Sequence, residues 1–200
     1  MRSRGMIDRR VYAAVSGVSL LVCAGLGVAA YVSGGDGAGA RGGMSADRLA
    51  AVVERIDQER LVGSMATSAA ATVTAAETLR AVGLEDPAPQ VVASVAAYVD
   101  GVDAAAARLR SGGGVEVTDV DVSVREETVE GAVRVVTLHV ARTLEDGQVW
   151  GALTPFAVVD RSDDASGLAA GQVYALDRES AESGRLPEVL HELADVHPDG

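Results

Sequence analysis

Three histidines are the residues of this 200-residue chain best suited to acid–base or metal chemistry. His139 alternates with Leu138 and Val140 in a strand-like stretch, so its side chain faces away from theirs. His191 lies in a short helix-like stretch and His197 lies near the C-terminus. None of the three forms a His-x-x-x-His or His-Glu-x-x-His pair. The sequence therefore predicts structural histidines and no metal site.

Two carboxylates, Asp119 and Asp121, stand two residues apart in a strand-like stretch and therefore share one face. With His139 they form the one combination that an exported enzyme could use as acid and base. General acid–base catalysis also needs an identifiable nucleophile or partner base, and the sequence offers none. A solvent-exposed face explains both aspartates, so we predict that the protein is not an enzyme.

A cation loop is the other candidate site. Asp160, Ser162 and Asp164 have the first three ligand spacings of an EF-hand loop. Ala165 stands where that loop requires glycine, and Gly171 stands where a bidentate glutamate should close the coordination shell. The sequence therefore predicts an ordinary acidic turn here.

Nucleophile and phosphate motifs are absent from the sequence. There is no Gly-x-Ser-x-Gly elbow, and the run 112–114 of three glycines lacks the Lys and Ser/Thr of a phosphate loop. Cys23 is the sole cysteine, so the chain forms no internal disulfide, and it reads as a small buried hydrophobe. We therefore assign no catalytic, cofactor-binding or metal-binding residue, and we expect no cofactor.

Composition narrows the protein classes. The chain is 48% hydrophobic and has one cysteine, which excludes a disordered chain, a disulfide scaffold and a collagen-like repeat. Its formal net charge is −12. All 17 basic residues are arginine, and the wealth of alanine, glycine and valine is typical of a GC-rich bacterial genome. Four of these arginines lie in the basic tail 1–10, so the rest of the chain is strongly acidic. An acidic body repels phosphate backbones, and nucleic acid is therefore not an expected partner.

An uncharged run from Val11 to Val32 predicts a transmembrane helix. As a helix these 22 residues would span about 33 Å, close to the hydrocarbon thickness of a bilayer. Tyr12 and Tyr31 stand at its two margins, as tyrosine does at membrane–water interfaces. The preceding arginines predict a cytoplasmic N-terminus and a C-terminal domain outside the cell membrane.

The alternative is an export signal that is cleaved. Arg9-Arg10 resembles the start of a twin-arginine signal, and Ala38-Gly39-Ala40 fits a small-x-small cleavage site near Ala40. Under this alternative the protein is secreted. A signal core normally has about 7–15 residues, which is shorter than the run 11–32, so we favour a retained anchor.

Three helices are predicted after a flexible linker at 33–44. Ser45 can cap the first, whose buried stripe follows Leu49, Val52, Val53, Ile56 and Arg60, with Asp57 on its surface. The second covers 65–82, with a stripe through Ala69, Val73, Ala76 and Leu79, and Gly83 as its C-cap. The third covers about 90–110 and ends at the glycine run.

Strands follow the helices. We predict strands at 115–124, with a bulge near Thr118-Asp119, and at 132–143, with a similar slip at Val135-Val136. Asp146-Gly147 predicts a hairpin into a strand at 148–160, which Pro155 assigns to an edge or a bulge. A short strand at 172–177 and a helix at about 187–196 complete the chain.

This order predicts an α+β domain at 45–200, in which helices pack on a mainly antiparallel meander of three or four strands. The outline of the chain resembles the nuclear-transport-factor-two-like fold. The features that carry this resemblance are the single N-terminal span at 11–32, the helices, and the paired strands at 115–124 and 132–143 with the turn at Asp146-Gly147. The outline is similar to that of the Mce-associated membrane proteins of high-GC bacteria. That resemblance implies an accessory or assembly part of a cell-envelope complex, with no residue role carried over.

Two functions remain open from the sequence. The first is a membrane-anchored, extracytoplasmic interaction domain, held in the lipid bilayer through Val11 to Val32 and bound to a protein partner in the envelope. The second is a secreted or tethered module that binds a small ligand in an apolar cavity. The rings that would line such a cavity are Tyr98, Trp150, Phe156 and Tyr174.

Overall fold

The computed structural model describes residues 43–62, 69–112, 115–162 and 168–177. The predicted basic tail, the membrane helix at 11–32, most of the linker and the C-terminal helix at about 187–196 lie outside these residues. None of the helices in the described ranges combines the length and the hydropathy that a membrane crossing requires.

The described residues form an α+β domain, as the order of the sequence patterns predicts. Three helices precede four strands, and the strands lie in the order β1-β2-β3-β4 in one antiparallel sheet. α1 packs on β1 and β2, α3 packs on α1 and β4, and α2 packs on α3. The bounds are α1 Ala46–Leu61, α2 Ala71–Ala81, α3 Pro89–Ser111, β1 Val117–Glu130, β2 Val133–Leu144, β3 Val149–Val159 and β4 Val173–Ala175.

Helix α1 begins where the sequence indicates. The Ser45 hydroxyl accepts a hydrogen bond from the Arg48 amide at 3.2 Å, which satisfies one of the free amides of the first turn. The predicted apolar stripe through Ile56 is buried against the sheet and α3. Met44, just before the cap, is also buried, so the packed body begins by this residue.

Helix α2 is rotated relative to the predicted stripe. Thr74, Ala75, Thr78 and Leu79 are its buried residues, whereas Val73 is 47% exposed. The prediction for Val73 was wrong because a hydropathy pattern counts threonine as polar. A threonine buries its methyl group when its hydroxyl has a partner, and Thr74 receives a hydrogen bond from Arg60.

The end of α2 matches its prediction. Gly83 has φ +88°, a conformation that L side chains rarely adopt, and the Leu84 amide donates to the Leu79 carbonyl at 2.9 Å. This is the 6→1 bond of a glycine C-cap. It turns the chain toward α3, which starts at Pro89.

The two hairpins that join β1 to β2 and β2 to β3 have short, regular turns. Gly131 has φ +65° in the two-residue connection from β1 to β2, and Gly147 has φ +79° in the connection from β2 to β3. There the Leu144 amide donates to the Gln148 carbonyl at 2.8 Å, and the Gln148 amide donates to Asp146 Oδ1 at 3.0 Å. The hairpin predicted from Asp146-Gly147 is therefore confirmed.

Of the two bulges predicted in the sheet, the structure has one and lacks the other. The pairing of β1 with β2 shifts between Val117 and Asp119, which confirms the predicted bulge, and shifts again between Val124 and Glu126. No slip occurs at Val135-Val136, where β2 pairs in continuous register with both neighbours. That prediction was wrong because this end of the sheet packs on both faces, so two consecutive valines find apolar contacts without a bulge.

Pro155 lies where β3 changes from an inner strand to an edge strand. Its carbonyl accepts a hydrogen bond from the Leu176 amide at 2.9 Å, just beyond the last residue of the short strand β4. A residue of an antiparallel ladder turns its amide and carbonyl to the same neighbour, so the missing N–H of Pro155 faces the β4 side and breaks no bond with β2. The predicted edge position is thus confirmed for the part of β3 before Phe156.

Candidate functional site

A carboxylate lies fully buried between α1, α3 and β2. Asp57 Oδ1 accepts a hydrogen bond from the Tyr98 hydroxyl at 2.8 Å. Asp57 Oδ2 accepts from Arg142 Nε at 3.1 Å and also from Arg142 Nη2. The prediction that Asp57 lies on the surface was wrong, because a helix that crosses a sheet buries a wider stripe than its apolar residues mark.

The three side chains form a structural network. Removing the Asp57 carboxylate from water is unfavourable, and the Arg142 guanidinium with its paired hydrogen bonds offsets that loss. Burial, and next to it the negative charge of Asp57, raises the pKa of Tyr98 well above its ordinary value. Tyr98 therefore remains a hydrogen-bond donor at neutral pH. The Asp57 carboxylate itself is not accessible to solvent, so the arrangement fits a link between helices and sheet and not catalysis.

This raised pKa predicts a loss of stability at alkaline pH. A tyrosine in the unfolded chain ionises near pH 10, whereas Tyr98 keeps its proton in the folded chain. Above about pH 10 the unfolded state therefore binds fewer protons, and the free energy of unfolding falls by up to about 1.4 kcal/mol per pH unit. Because Tyr98→Phe has no hydroxyl to ionise in either state, we expect a shallower fall in that variant.

Urea unfolding followed by circular dichroism between about pH 8 and pH 11 measures this difference. Tyr174→Phe is the matched control. Burial raises the pKa of Tyr174 less far than that of Tyr98, and no carboxylate contributes to the rise. Equal slopes for the wild-type chain and Tyr98→Phe would contradict the prediction.

Arg60 joins the three helices, and its predicted place in the buried stripe of α1 is confirmed. Its Nη2 donates to the Ala69 carbonyl at 3.0 Å and to the Thr74 hydroxyl. Its Nη1 lies 3.6 Å from Asp103 Oδ2 on α3. An arginine can take such a position because its aliphatic stem packs with apolar neighbours while its head reaches polar partners.

The residues weighed as a cation loop have structural partners. Arg134 donates to both carboxylate oxygens of Asp160, with a closest distance of 2.8 Å, and to the Met44 carbonyl at 2.6 Å. The Ser162 hydroxyl accepts from the Ala170 amide at 3.0 Å. Asp164 and Ala165 lie outside the described residues. In the part of the chain that the structure describes, no three acidic, histidine or cysteine side chains are grouped so that they could hold a metal ion.

His139 lies on the sheet face opposite the helices. It is paired with Ser123 on β1, and a Cβ added at Gly151 would lie 2.7 Å from its Nε2, so the imidazole covers that glycine. Asp121 pairs with Ala141, one position along the same face, and Asp119 pairs with Thr143. The two aspartates therefore share a face, as predicted; Asp121 is a diagonal neighbour of His139, and Asp119 lies one position further along that face. No hydrogen bond joins them to it among the described residues.

The four aromatic rings do not surround one cavity. Tyr98 and Phe156 meet edge to face with their centroids 5.6 Å apart, inside the main core, and Trp150 packs against that core. Tyr174 packs instead on the small cluster on the other sheet face. The void beside Tyr98 and Phe156 has a volume of about 10 Å³, too small for an organic ligand.

Surface features provide the remaining candidates for binding. Gln58 helps to line an open depression of about 390 Å³ on the outer face of α1, with Ala51, Glu54, Arg55 and Glu59. The Gln58 side chain also accepts a hydrogen bond from the backbone amide of Val120, on the free edge of β1, at 3.1 Å. On β3, Val149 and Leu153 are each 62% exposed. The described surface therefore offers an open strand edge and a sheet face that is uncovered around Val149 and Leu153.

Sequence reasoning missed Asp57 and Gln58 as partners of the sheet, although one signal for Asp57 was present. Arg142 has the same strand parity as Leu138 and Val140, which places a charged side chain on the buried face and requires a buried partner. Comparison of the chain with protein-family models, with curated proteins and with solved structures finds no match in any of the three.

Proposed function

We propose that this protein is a membrane-anchored, extracytoplasmic interaction domain that serves as an accessory part of a cell-envelope assembly and has no catalytic activity. The observation that carries the proposal is the uncharged run from Val11 to Val32, directly behind a basic tail and ahead of an acidic body. Such a run prefers hydrocarbon to water, and the arginines before it favour a cytoplasmic N-terminus.

The arrangement of the body supports an interaction role over a reactive one. Among the described residues, ion pairs such as Asp57 with Arg142 and Arg134 with Asp160 link one structural element to another. The void beside the rings Tyr98 and Phe156 is too small for a ligand. Affinity for a protein partner would then come from the surface of the domain. The open edge of β1 and the exposed side chains of β3 supply a surface for such binding.

Protease accessibility tests the proposed orientation. We expect protease added to intact spheroplasts to digest the body of the full chain while a cytoplasmic marker protein stays intact. The body should sediment with membranes, whereas a variant lacking residues 11–32 should remain in the cytoplasm. Protection of the wild-type body until the membrane is lysed would overturn the orientation.

The mass of the mature protein separates the two forms of export. A retained anchor predicts the full chain, whereas cleavage near Ala40 predicts a product that lacks the run 11–32. The interaction role has its own test: a photo-cross-linking amino acid placed at the exposed position of Leu153 or Val129 in living cells. We expect a discrete cross-linked band with another envelope protein, and only monomer at every exposed position would contradict the role.

A further inference from the structure

The strand β1 is an edge of the sheet along its whole length of 14 residues. One side of it pairs with β2 from Val117 to Glu130. On the other side, among the described residues, the chain supplies a single isolated bridge, from Val62 to Val117 at the start of the strand. An edge strand presents a row of backbone donors and acceptors that another strand can use.

The hydrogen bond at Val120 shows which residues point to this open side. The Val120 amide donates to Gln58 Oε1 and not to its partner Arg142 on β2. Because backbone groups alternate sides along a strand, the amides and carbonyls of Val122 and Val124 also face the open edge. Val62 and Gln58 thus cover the first four residues of the edge, and the free edge begins beyond them.

The side chains along the free edge combine apolar surface with negative charge. Val122 and Val124 are partly buried against the core, and Val129 is 70% exposed. Glu126 and Glu127 stand between Val124 and Val129 and Asp121 just before Val122, all three exposed. Glu127 also pairs with Arg134, whose Nη1 lies 3.3 Å from its Oε1, so Glu126 and Asp121 are the acids of these three without an ion pair described for them. Arg125 is the one basic residue of the strand.

This charge selects among strands that could pair here. Each copy of β1 carries five acidic residues against the single Arg125, so two copies repel each other through their net charge. A strand that alternates basic and apolar residues would place opposite charges beside the acids and apolar side chains beside the valines. The strongly acidic body would also speed the approach of such a segment.

We propose that the free edge of β1 from Val122 to Val129 is the docking site for an extended, basic segment of a partner protein, which adds a fifth strand to the sheet. This proposal rests on the interaction role proposed above and names its surface. The partner's backbone supplies affinity through hydrogen bonds to Val122 and Val124, and its basic side chains supply selectivity through the acids of β1.

Fluorescence anisotropy of labelled peptides with the full chain in detergent tests the proposal. The probe is a peptide of about ten residues in which lysine alternates with valine. One control peptide replaces lysine with glutamate. A second keeps every lysine but replaces each valine with proline, so its charge is unchanged and its backbone cannot pair. We expect binding of the first peptide only.

Variants of the chain locate the site. Val122→Pro removes an amide that faces the open edge and keeps the ladder with β2, so we expect at least about tenfold weaker binding with little change in thermal stability. Val122→Thr is the matched control and should bind as the wild-type chain does. If Val122→Pro is unfolded by circular dichroism, Glu126→Arg provides the second test: it should weaken the lysine peptide and favour the glutamate peptide.

Three outcomes overturn the proposal. If the proline-containing peptide binds as tightly as the lysine–valine peptide, net charge alone explains the binding and no strand is added. Binding of the lysine peptide that neither Val122→Pro nor Glu126→Arg weakens would place the peptide elsewhere on the chain. Self-association of the chain that Val122→Pro abolishes would make a second copy the occupant. The cross-linking experiment in cells tests the interaction role separately, since it reports any partner at any surface.

Discussion

Replacing Arg142 with methionine is expected to lower the free energy of unfolding by about 3–5 kcal/mol. Asp57 is 0% exposed, and Arg142 supplies the positive charge beside its carboxylate. Without Arg142, the Tyr98 hydroxyl alone remains of the three hydrogen bonds described for that carboxylate. An uncompensated buried carboxylate is strongly unfavourable, and chemical denaturation of the full chain measures the loss.

Removing the charge of Asp57 instead should lower the free energy of unfolding by less. Asp57→Asn keeps a carbonyl oxygen for Tyr98, and the Arg142 side chain, which is 22% exposed, can turn its charge toward water. We therefore expect a loss of about 1–3 kcal/mol. The double variant Asp57→Leu with Arg142→Met removes both charges and should recover much of the stability. A larger loss for Asp57→Asn than for Arg142→Met would contradict this account.

Replacing Phe156 with alanine is expected to lower the free energy of unfolding by about 3–5 kcal/mol. Phe156 is 1% exposed and packs edge to face with Tyr98 between the sheet and the helices. Its removal loses the transfer free energy of the ring and leaves a cavity that the surrounding strands cannot close. Denaturation midpoints at constant denaturant dependence measure the change.

Leu153→Ala is the matched control on the same strand. Leu153 lies three residues before Phe156, on the opposite sheet face, and is 62% exposed. We expect its replacement to change the free energy of unfolding by no more than about 0.5 kcal/mol. A loss comparable to that of Phe156→Ala would show that another part of the chain, or a second copy, covers this face.

The local features of the fold follow from short stretches of sequence. Ser45 and Gly83 set one end each of α1 and α2, and Asp146-Gly147 sets the second hairpin. These positions are predictable because a cap or a turn is satisfied by hydrogen bonds within a few residues. The α+β class follows likewise, from helical periodicity that gives way to alternation after residue 114.

Contacts between elements were not predictable in the same way. The rotation of α2 that exposes Val73 depends on the guanidinium of Arg60, which comes from another helix. The regular register at Val135-Val136 depends on apolar cover on both sheet faces, and part of that cover comes from Leu168 and Leu176, far along the chain. A pattern within one segment carries no information on which distant side chains will satisfy it.

The sequence by itself determined the uncharged run at 11–32, the acidic body, the order of helices and strands, and the lack of a reactive motif. Only the tertiary structure decided that Asp57 is buried with Arg142 and Tyr98, and that Gln58 and Val62 cover the start of the β1 edge. The physical reason is the range of the interactions. Hydropathy, helix caps and turns are satisfied within a few residues, whereas a buried charge or an open strand edge is defined by elements that only the folded chain brings together.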